Sequence, residues 1–245
     1  MRRLKTLLLV TAATAIATGT AYEDGHEKRG RDGELKIIYW QAPSTLNPYL
    51  SGGTKEVESA SMVLESLARF DNTGKLTAWL ADGIPTVENG GVAKDLTSIT
   101  WKLKDGVKWS DGSALTANDA VFTWKYCTDP AGGCAQASYF DGVKNIEAVN
   151  DQTIKITFTG PKPFPYTALV GSESPIIQAA QFADCLGSKP PECTTANFGP
   201  IGTGPFVVDE FKPNDVIQLS ANDQYRDAGK PAFAKVLFKG GGDAA

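Results

Sequence analysis

The segment Asp95–Asp119 constrains the fold of this chain more than any other part of its 245 residues. An alternating apolar run that ends at Leu103 predicts a β-strand, and Lys104–Gly106 predicts a tight turn after it. A return segment, Val107–Trp109, and a second turn at Ser110–Gly112 follow at once. So many signals in one order predict a compact strand and turn unit rather than a flexible linker.

A helix is predicted directly after these turns. Thr116 stands three residues before Asp119, which is the spacing of a capping box, and the apolar run Ala120–Trp124 follows. The threonine hydroxyl is expected to cap the first turn of the helix, while the aspartate reaches back to the threonine backbone amide.

The rest of the chain mixes strands and helices without a repeat or an interdomain linker. Apolar residues of Glu56–Leu67 recur at helical spacing, and the other segments read as strands or hairpins. We therefore predict one α+β unit that contains a small β-rich subdomain. The predicted segments are the strand Leu35–Trp40, the helix Glu56–Leu67, hairpins over Asn145–Phe158 and Phe206–Leu219, which turn at Asn150–Asp151 and Lys212–Asp215, and a last strand, Phe233–Phe238.

The amino terminus has the pattern of an export signal. Arg2, Arg3 and Lys5 precede an apolar run, Leu7–Ala17, and the small residues Gly19–Ala21 follow it. A buried amphipathic helix is the alternative, but the polar segment that follows favours a cleaved signal over residues 1–21. With no cysteine near the cleavage point to carry a lipid, we expect a periplasmic protein, and we assign residues 22–34 to a polar leader.

Charge limits the partners. The whole chain has a formal net charge of −4, and loss of the signal, residues 1–21, removes three basic and no acidic residues. Nucleic acids and anionic membrane surfaces require basic patches, so neither is expected as a partner.

Four cysteines in an exported chain predict disulfides. Their spacing favours the local pairs Cys127 with Cys134 and Cys185 with Cys193, although three connectivities are formally possible. Zinc is the rival, but neither pair has zinc-knuckle spacing and the only histidine, His26, lies in the polar leader. We expect no metal and no cofactor.

These segments together resemble bacterial solute-binding protein family 5, the extracytoplasmic receptors of dipeptide, oligopeptide and nickel ABC importers. The block Asp95–Asp119 is similar to the family's most recognisable motif, and further matches occur in the family's order. These matches are Thr45–Pro48, Leu64–Leu67, Asp71–Leu76, Leu80–Asp82, Gly142–Val143 with Ala148–Thr157, Gly202–Phe206 and Asn222–Pro231.

The resemblance implies a two-lobed periplasmic binding protein fold of type II. In that family the first lobe combines the amino-terminal half with a short carboxy-terminal return. Residues 35–245 correspond to the first lobe only, so we expect this chain to be a fragment that lacks the second lobe.

The resemblance also implies ligand-binding positions. Gly52, Gly53 and Thr54 match the loop at the edge of the cleft, where glycines allow close main-chain approach, although an ordinary loop before a helix capped by Thr54 fits equally well. Tyr139 matches an aromatic residue that faces the ligand, the alternative being a core position. Ser172 matches a position that is arginine in the nickel branch, which weakens a nickel-chelate interpretation.

Enzymatic functions are poorly supported. The lone histidine leaves no Ser-His-Asp or Cys-His site on the core, and Asp141 with Glu147 is better explained as solvated surface than as an acid/base pair. The sequence predicts a monomeric receptor that binds a small molecule or peptide and delivers it to an ABC permease in the inner membrane. The alternatives are an exported chaperone-like protein and a hydrolase, and the solute could be a peptide, opine, sugar or metal chelate.

Overall fold

The computed structural model describes residues 29–241. The predicted signal segment and His26 lie outside these residues. Part of the predicted polar leader lies inside them and packs on a distant loop: Gly30 N donates to Pro231 O at 2.9 Å and Asp32 N donates to Ala232 O at 3.0 Å. The leader therefore joins the folded unit from Arg29 onward, immediately before the first strand.

The described residues form three β-sheets with short helices between them. A four-stranded sheet has the order β1-β9-β8-β7, in which only the β1–β9 pair is parallel; β2 pairs with β3, and a third, antiparallel sheet has the order β4-β6-β5. The strands are β1 Glu34–Tyr39, β2 Ala68–Phe70, β3 Leu76–Ala78, β4 Ser98–Lys102, β5 Val143–Asn150, β6 Thr153–Phe158, β7 Phe206–Lys212, β8 Val216–Ala221 and β9 Lys235–Gly240. The α-helices are α1 Thr54–Ala60, α2 Ala117–Thr128, α3 Ala179–Phe182 and α4 Thr194–Phe198, and the 3-10 helices are Pro48–Leu50, Ala137–Phe140 and Pro190–Glu192.

Two separate hydrophobic clusters stabilise this arrangement. The larger one lies around the β4-β6-β5 sheet and α2, with Trp101 and Trp109 fully buried in it. The smaller one covers one face of the four-stranded sheet and includes Leu46 and Val63 from outside that sheet. Each cluster removes apolar side chains from water, which is the main favourable contribution to folding. The chain is thus α+β, as predicted.

The block Asp95–Asp119 contains the predicted elements but pairs them differently. Thr116 and Asp119 form the capping box of α2, with Thr116 N donating to Asp119 Oδ2 at 2.9 Å. The return segment does not pair with β4: Trp109 N donates to Ser113 O and Leu115 N donates to Val107 O. Both edges of β4 are already paired, one with β6 and the other with Gly91–Ala93, so the return segment pairs with the residues that follow it.

The predicted helix Glu56–Leu67 is too long. Helix α1 ends at Ala60, and the chain then becomes extended, with Leu67 N donating to Leu169 O and Leu80 N donating to Ser66 O. The apolar residues that suggested a longer helix are buried, but Val63 lies in the smaller cluster and Leu67 in the larger one. The apolar spacing therefore predicted the buried residues correctly, but it placed the end of the helix too late in the chain.

The hairpin predictions are confirmed. Strands β5 and β6 are joined at Asp151 and Gln152, and β7 and β8 are joined through the segment that contains Asn214, whose φ is +62°. The last strand begins at Lys235, two residues later than predicted. Hairpins of this kind are fixed by residues close in sequence, so their prediction requires no knowledge of the fold.

Both local cysteine pairs lie at disulfide distance. Cys127 and Cys134 have a Cα–Cα distance of 5.1 Å, and Cys185 and Cys193 have one of 6.0 Å. The first bridge closes a loop between the end of α2 and the segment that leads to Tyr139. The second closes the loop that precedes α4.

A buried ion pair joins the segment that follows α1 to the segment that follows β8. Glu65 follows α1 and is only 1% exposed; Arg226 follows β8, and its guanidinium donates to both carboxylate oxygens of Glu65, at 2.5 and 3.1 Å. Thr203 Oγ1 and Trp79 Nε1 donate to the same carboxylate, at 2.9 and 2.5 Å. Burial by itself would lower the pKa of Arg226, but the hydrogen bonds and the charge of Glu65 together raise it. We call this group the Glu65 joint.

The glycines on either side of Thr203 let two backbones touch at this joint. Gly204 N donates to Val63 O at 2.8 Å, and a Cβ on Gly202 or Gly204 would collide with the carbonyl group of Val63. Only glycine allows so close an approach.

Candidate functional site

The predicted cleft-edge residues form the entry to helix α1. Gly53 is the N-cap, with φ −70° and ψ 135°, and its carbonyl accepts hydrogen bonds from Glu56 N and Val57 N, both at 3.1 Å. Thr54 is the first helical residue. The alternative in which Thr54 caps the helix is therefore wrong, because the backbone turns into the helix one residue earlier.

Gly53 lacks a side chain for an internal reason. A Cβ at this position would collide with Glu56 Oε2. The other carboxylate oxygen of Glu56 accepts from Ser44 N and Ser44 Oγ, each at 2.9 Å, and lies 3.2 Å from Lys55 Nζ. Burial would raise the pKa of Glu56, but these hydrogen bonds and the lysine charge lower it overall. Gly53 thus makes room for a buried, ionised carboxylate.

Gly52 faces a different segment. A Cβ on Gly52 would lie 3.9 Å from Gln136 Nε2, and Gln136 donates from the same atom to Pro48 O at 3.3 Å. Ala135 N also donates to Tyr49 O at 2.8 Å. The loop before α1 and the segment that leads to Tyr139 are therefore in direct contact, although more than eighty residues separate them.

The loop before α1 is held in place by a buried amide network. Asn47 is fully buried; its Oδ1 accepts from Tyr49 N at 3.0 Å, and its Nδ2 donates to Tyr126 Oη at 2.9 Å and to Asn197 Oδ1 at 2.8 Å. Buried polar groups with all their partners present give a single, ordered conformation. The hydrogen bonds of Asn47 therefore fix the position of the loop that contains Gly52 and Gly53.

Tyr139 is half-buried in the 3-10 helix Ala137–Phe140 and packs at the edge of the larger cluster. Burial raises the pKa of Tyr139, and the charge of Glu173 and a hydrogen bond to its carboxylate raise it further. The ring therefore occupies the edge of the core, and contact of Tyr139 with a ligand stays a prediction. Its ring packs inward, and its hydroxyl belongs to a polar surface.

Ser172 belongs to the same polar surface. Its hydroxyl lies 3.1 Å from Glu173 Oε2, so Glu173 connects Ser172 with Tyr139. In the sequence, nothing but the position of Glu173 beside Ser172 points to a role for it. We refer to Tyr139, Ser172 and Glu173 as the Tyr139 surface.

The loop that carries Ser172 and Glu173 is fixed by its backbone. Leu169 and Gly171 have φ values of +61° and +88°. Leu67 N donates to Leu169 O, Gly171 N donates to Ala68 O, both at 2.9 Å, and Leu169 N donates to the buried Ser174 Oγ at 3.0 Å. These bonds tie the loop to β2, so its polar side chains have a defined position.

A surface cavity of about 370 Å³ lies beside the 3-10 helix that carries Tyr139. It is lined by the bridge Cys127–Cys134, together with Asp129, Ala137 and Asp141 among others, but not by Tyr139. The cavity is therefore distinct from the Tyr139 surface.

Within residues 29–241 no three His, Cys, Asp or Glu side chains are grouped so that they could hold a metal ion. In the same range, no helix combines the length and the apolar character needed to cross a membrane.

The fold defines a class of protein. The chain superposes on AppA from Bacillus subtilis in complex with a nonapeptide with a TM-score of 0.74 and 25% identity, covering 87% of this chain and 40% of AppA. It superposes on AgaA from A. tumefacien R10 in complex with agropinic acid with a TM-score of 0.73 and 25% identity, covering 85% and 40%. AppA and AgaA are solute receptors, and the matched region corresponds to a single lobe of the periplasmic binding protein fold.

The sequence comparison names the family. The model of the bacterial extracellular solute-binding proteins, family 5, matches residues 75–245, so the chain belongs to that family. It is 26% identical over 247 residues to the oligopeptide-binding protein OppA of Bacillus subtilis, covering 94% of this chain and 44% of OppA. It is 28% identical over 212 residues to the periplasmic OppA of Salmonella typhimurium, covering 79% and 37%.

Family membership settles the general class of activity. Members of family 5 are extracytoplasmic transport proteins that bind solutes and are not enzymes. The chain spans less than half the length of the curated relatives named above. What the whole receptor binds is therefore a matter of proposal.

Proposed function

We propose that this chain forms the first lobe of a periplasmic receptor that captures short peptides and delivers them to an ABC permease in the inner membrane. A hinged, two-lobed receptor closes around its ligand and is recognised in the closed form. The observation that carries the proposal is the contact between the Gly52 loop and the segment of Tyr139, within a chain of family 5. Residues 35–245 make up the lobe, and the receptor acts as a monomer.

The proposed binding residues are Gly52, Gly53, Thr54, Tyr139 and Ser172. Gly52 has open space in front of its Cα apart from Gln136, which suits the approach of an extended peptide main chain. Main-chain hydrogen bonds accept many side chains, which is how one receptor binds varied peptides. The ring of Tyr139 supplies an apolar wall and its hydroxyl a polar contact.

Peptides are preferred over other solutes because of the relatives. AppA was solved with a nonapeptide, and OppA of Bacillus subtilis and OppA of Salmonella typhimurium are named for oligopeptides. AgaA was solved with agropinic acid, so the same fold also holds a non-peptide solute. More of these relatives are named for peptides than for other solutes, which favours short peptides as the ligand.

Nuclear magnetic resonance can test the site on this chain. A ligand held by one wall keeps only part of its buried surface, so we expect weak binding, in the millimolar range. Titration with trialanine should shift the amide signals of Gly52, Tyr139 and Ser172 and leave those of Gly106 and Gly112 unchanged. Shifts confined to residues outside the site would contradict the proposal.

Tyr139→Ala gives the sharpest variant for that titration. It should weaken the binding of trialanine by roughly 1 kcal/mol, which is the scale of an aromatic contact. Phe164→Ala is the matched control, because Phe164 is an exposed aromatic residue outside the site. A bulky residue at Gly53 is a poorer test, because it would displace Glu56 whether or not a ligand binds there.

Export is a separate part of the proposal. The charges, apolar run and small residues of positions 1–21 support cleavage after Ala21, so the mature protein would begin at Tyr22. Amino-terminal sequencing of protein from the periplasmic fraction provides the test. A first residue of Met1 would show that the segment is retained.

A further inference from the structure

Glu173 stands out among the carboxylates near the proposed site because it has no cationic partner. Within residues 29–241, no Lys or Arg nitrogen lies within 4.0 Å of its carboxylate, whereas Glu56 is paired with Lys55 and Glu65 with Arg226. Its carboxylate lies 3.1 Å from the hydroxyl of Ser172, and its negative charge raises the pKa of Tyr139. Hydroxyl groups can orient a carboxylate, but they do not neutralise its charge.

Arg69 is the cation whose charge reaches Glu173, and it is already engaged elsewhere. Its guanidinium donates to Leu64 O at 3.1 Å and to Ser61 O at 3.4 Å, and it lies over the ring of Trp79 at 5.1 Å. Burial lowers the pKa of Arg69, and the charge of Glu65 opposes this more strongly than that of Glu173 does. Arg69 therefore donates to backbone carbonyls and, within residues 29–241, forms no ion pair with Glu173.

The geometry around Glu173 is fixed before any ligand arrives. Gly171 N donates to Ala68 O, and a Cβ on Gly171 would lie 3.0 Å from Glu173 Oε2. The absence of a side chain at Gly171 thus leaves room for the carboxylate. A half-buried, positioned carboxylate binds a cation better than a free surface carboxylate does, because little ordering and little desolvation remain to be supplied.

We propose that Glu173, oriented by Ser172 beside Tyr139, binds a cationic group of the solute, an ammonium or a guanidinium. The inference rests on the proposed function and adds a solute class to it: peptides that carry a positive charge. A cationic donor of the solute would form a charge-assisted hydrogen bond with the carboxylate of Glu173. An anionic group at the same place would be repelled.

Two blocked peptides isolate this contact. Acetyl-Ala-Arg-Ala-amide and its citrulline counterpart have nearly the same shape and differ in one charge. In nuclear magnetic resonance titrations of the 245-residue chain, the arginine peptide should bind about tenfold more tightly, as a charge-assisted hydrogen bond would give. Its largest shifts should fall on Tyr139, Ser172 and Glu173.

Two variants assign that preference to Glu173. Glu173→Gln should remove the difference between the peptides and retain weak binding of both. Glu147→Gln is the matched control, because Glu147 is an exposed carboxylate paired with Lys155 on β6, and it should keep the tenfold preference. A normal amide spectrum for each variant establishes that it is folded.

The outcomes separate this inference from the proposed function. Equal affinity for the two peptides, or a preference that survives in Glu173→Gln, would overturn the role of Glu173 and leave the peptide receptor standing. Failure of both peptides to shift any residue of the Tyr139 surface would overturn the proposed site and the inference together. A preference that is lost in Glu173→Gln but kept in Glu147→Gln would support it.

Discussion

Glu65 and Glu173 are two carboxylates of the same lobe with opposite surroundings. Glu65 is almost fully buried and receives hydrogen bonds from Arg226, Thr203 and Trp79. Glu173 is half-buried, its carboxylate lies 3.1 Å from the hydroxyl of Ser172, and no Lys or Arg within residues 29–241 forms an ion pair with it. The first carboxylate has its full set of partners within the lobe, and the second does not.

The comparison distinguishes a carboxylate that stabilises the fold from one that is proposed to bind a solute. A buried charge must be paired within the protein, because its desolvation is costly. Glu65 therefore joins the segment that follows α1 to the segment that follows β8. A partly exposed charge on a fixed loop carries a smaller penalty and remains available to a partner. The same residue type therefore has two roles, set by burial and neighbours.

The largest effect is expected from breaking the Glu65 joint. Arg226→Ala leaves Glu65 buried without its cation and should lower the free energy of unfolding by about 3 to 5 kcal/mol. Urea denaturation at neutral pH measures this loss. Lys155→Ala, which breaks the exposed pair with Glu147, is the control and should cost less than about 1 kcal/mol. Similar losses in both variants would mean that the joint is no stronger than a surface pair.

The disulfide beside the Tyr139 surface comes next. Replacing Cys127 and Cys134 with serine frees a short loop and should cost about 2 to 3 kcal/mol in thermal or urea unfolding. Because this loop leads to Ala135 and Gln136, which contact the loop before α1, the amide signal of Gly52 should also shift.

The same replacement at Cys185 and Cys193 is its matched control. It should destabilise the protein by a similar amount, and it should shift the amide signal of Gly52 less, because it reaches that loop only through Asn197 and Asn47. Peptide mapping without reduction should first show both local bridges and no free thiol. A bridge between the two cysteine pairs would contradict this prediction.

Gly202→Ala tests the close backbone approach at the Glu65 joint. The added methyl group collides with the carbonyl group of Val63 and moves the segment that carries Thr203, so a loss of about 1 to 3 kcal/mol is expected. Gly83→Ala has open space around its Cβ and should change the stability by less than about 0.5 kcal/mol. Equal unfolding midpoints for the two variants would exclude the collision.

The smallest effect on stability is expected at the Tyr139 surface. Glu173→Gln should change the free energy of unfolding by less than about 0.5 kcal/mol, because no ion pair is broken. It should nevertheless lower the pKa of Tyr139 toward its ordinary value, because the neighbouring negative charge is removed. Glu88→Gln is the control, since the charge of Glu88 raises the pKa of Tyr166 instead. An unchanged Tyr139 pKa in Glu173→Gln would place the carboxylate too far away to act on the tyrosine.

Much of the fold could be predicted from the sequence, and the errors have a common cause. The capping box at Thr116, the hairpin between β5 and β6, and the two local cysteine pairs were all predicted, because the interacting residues are close in the chain. The end of α1 was predicted too late, because Leu67 lies beyond the helix and its backbone N donates to Leu169 O. A partner a hundred residues away has no local signature.

The candidate site divides in the same way. Family motifs pointed to the Gly52 loop, Tyr139 and Ser172, but gave no reason to single out Gln136 or Glu173. Gln136 became relevant because Gly52 faces it, and Glu173 because it lies beside Tyr139. Family membership is established for the chain, and the roles of these residues in binding remain predictions for the titrations described above.

The sequence by itself determined the class of fold, the family and the turns, caps and bridges between near neighbours. Those features depend on backbone preferences and on contacts across a few residues, which the order of residue types largely specifies. Only the tertiary structure decided that Glu65 is joined to Arg226, 161 residues further along the chain, and that Glu173 has no such partner within residues 29–241. The physical reason is that burial and pairing of a charge depend on which distant surfaces meet, and only the folded chain brings those surfaces together.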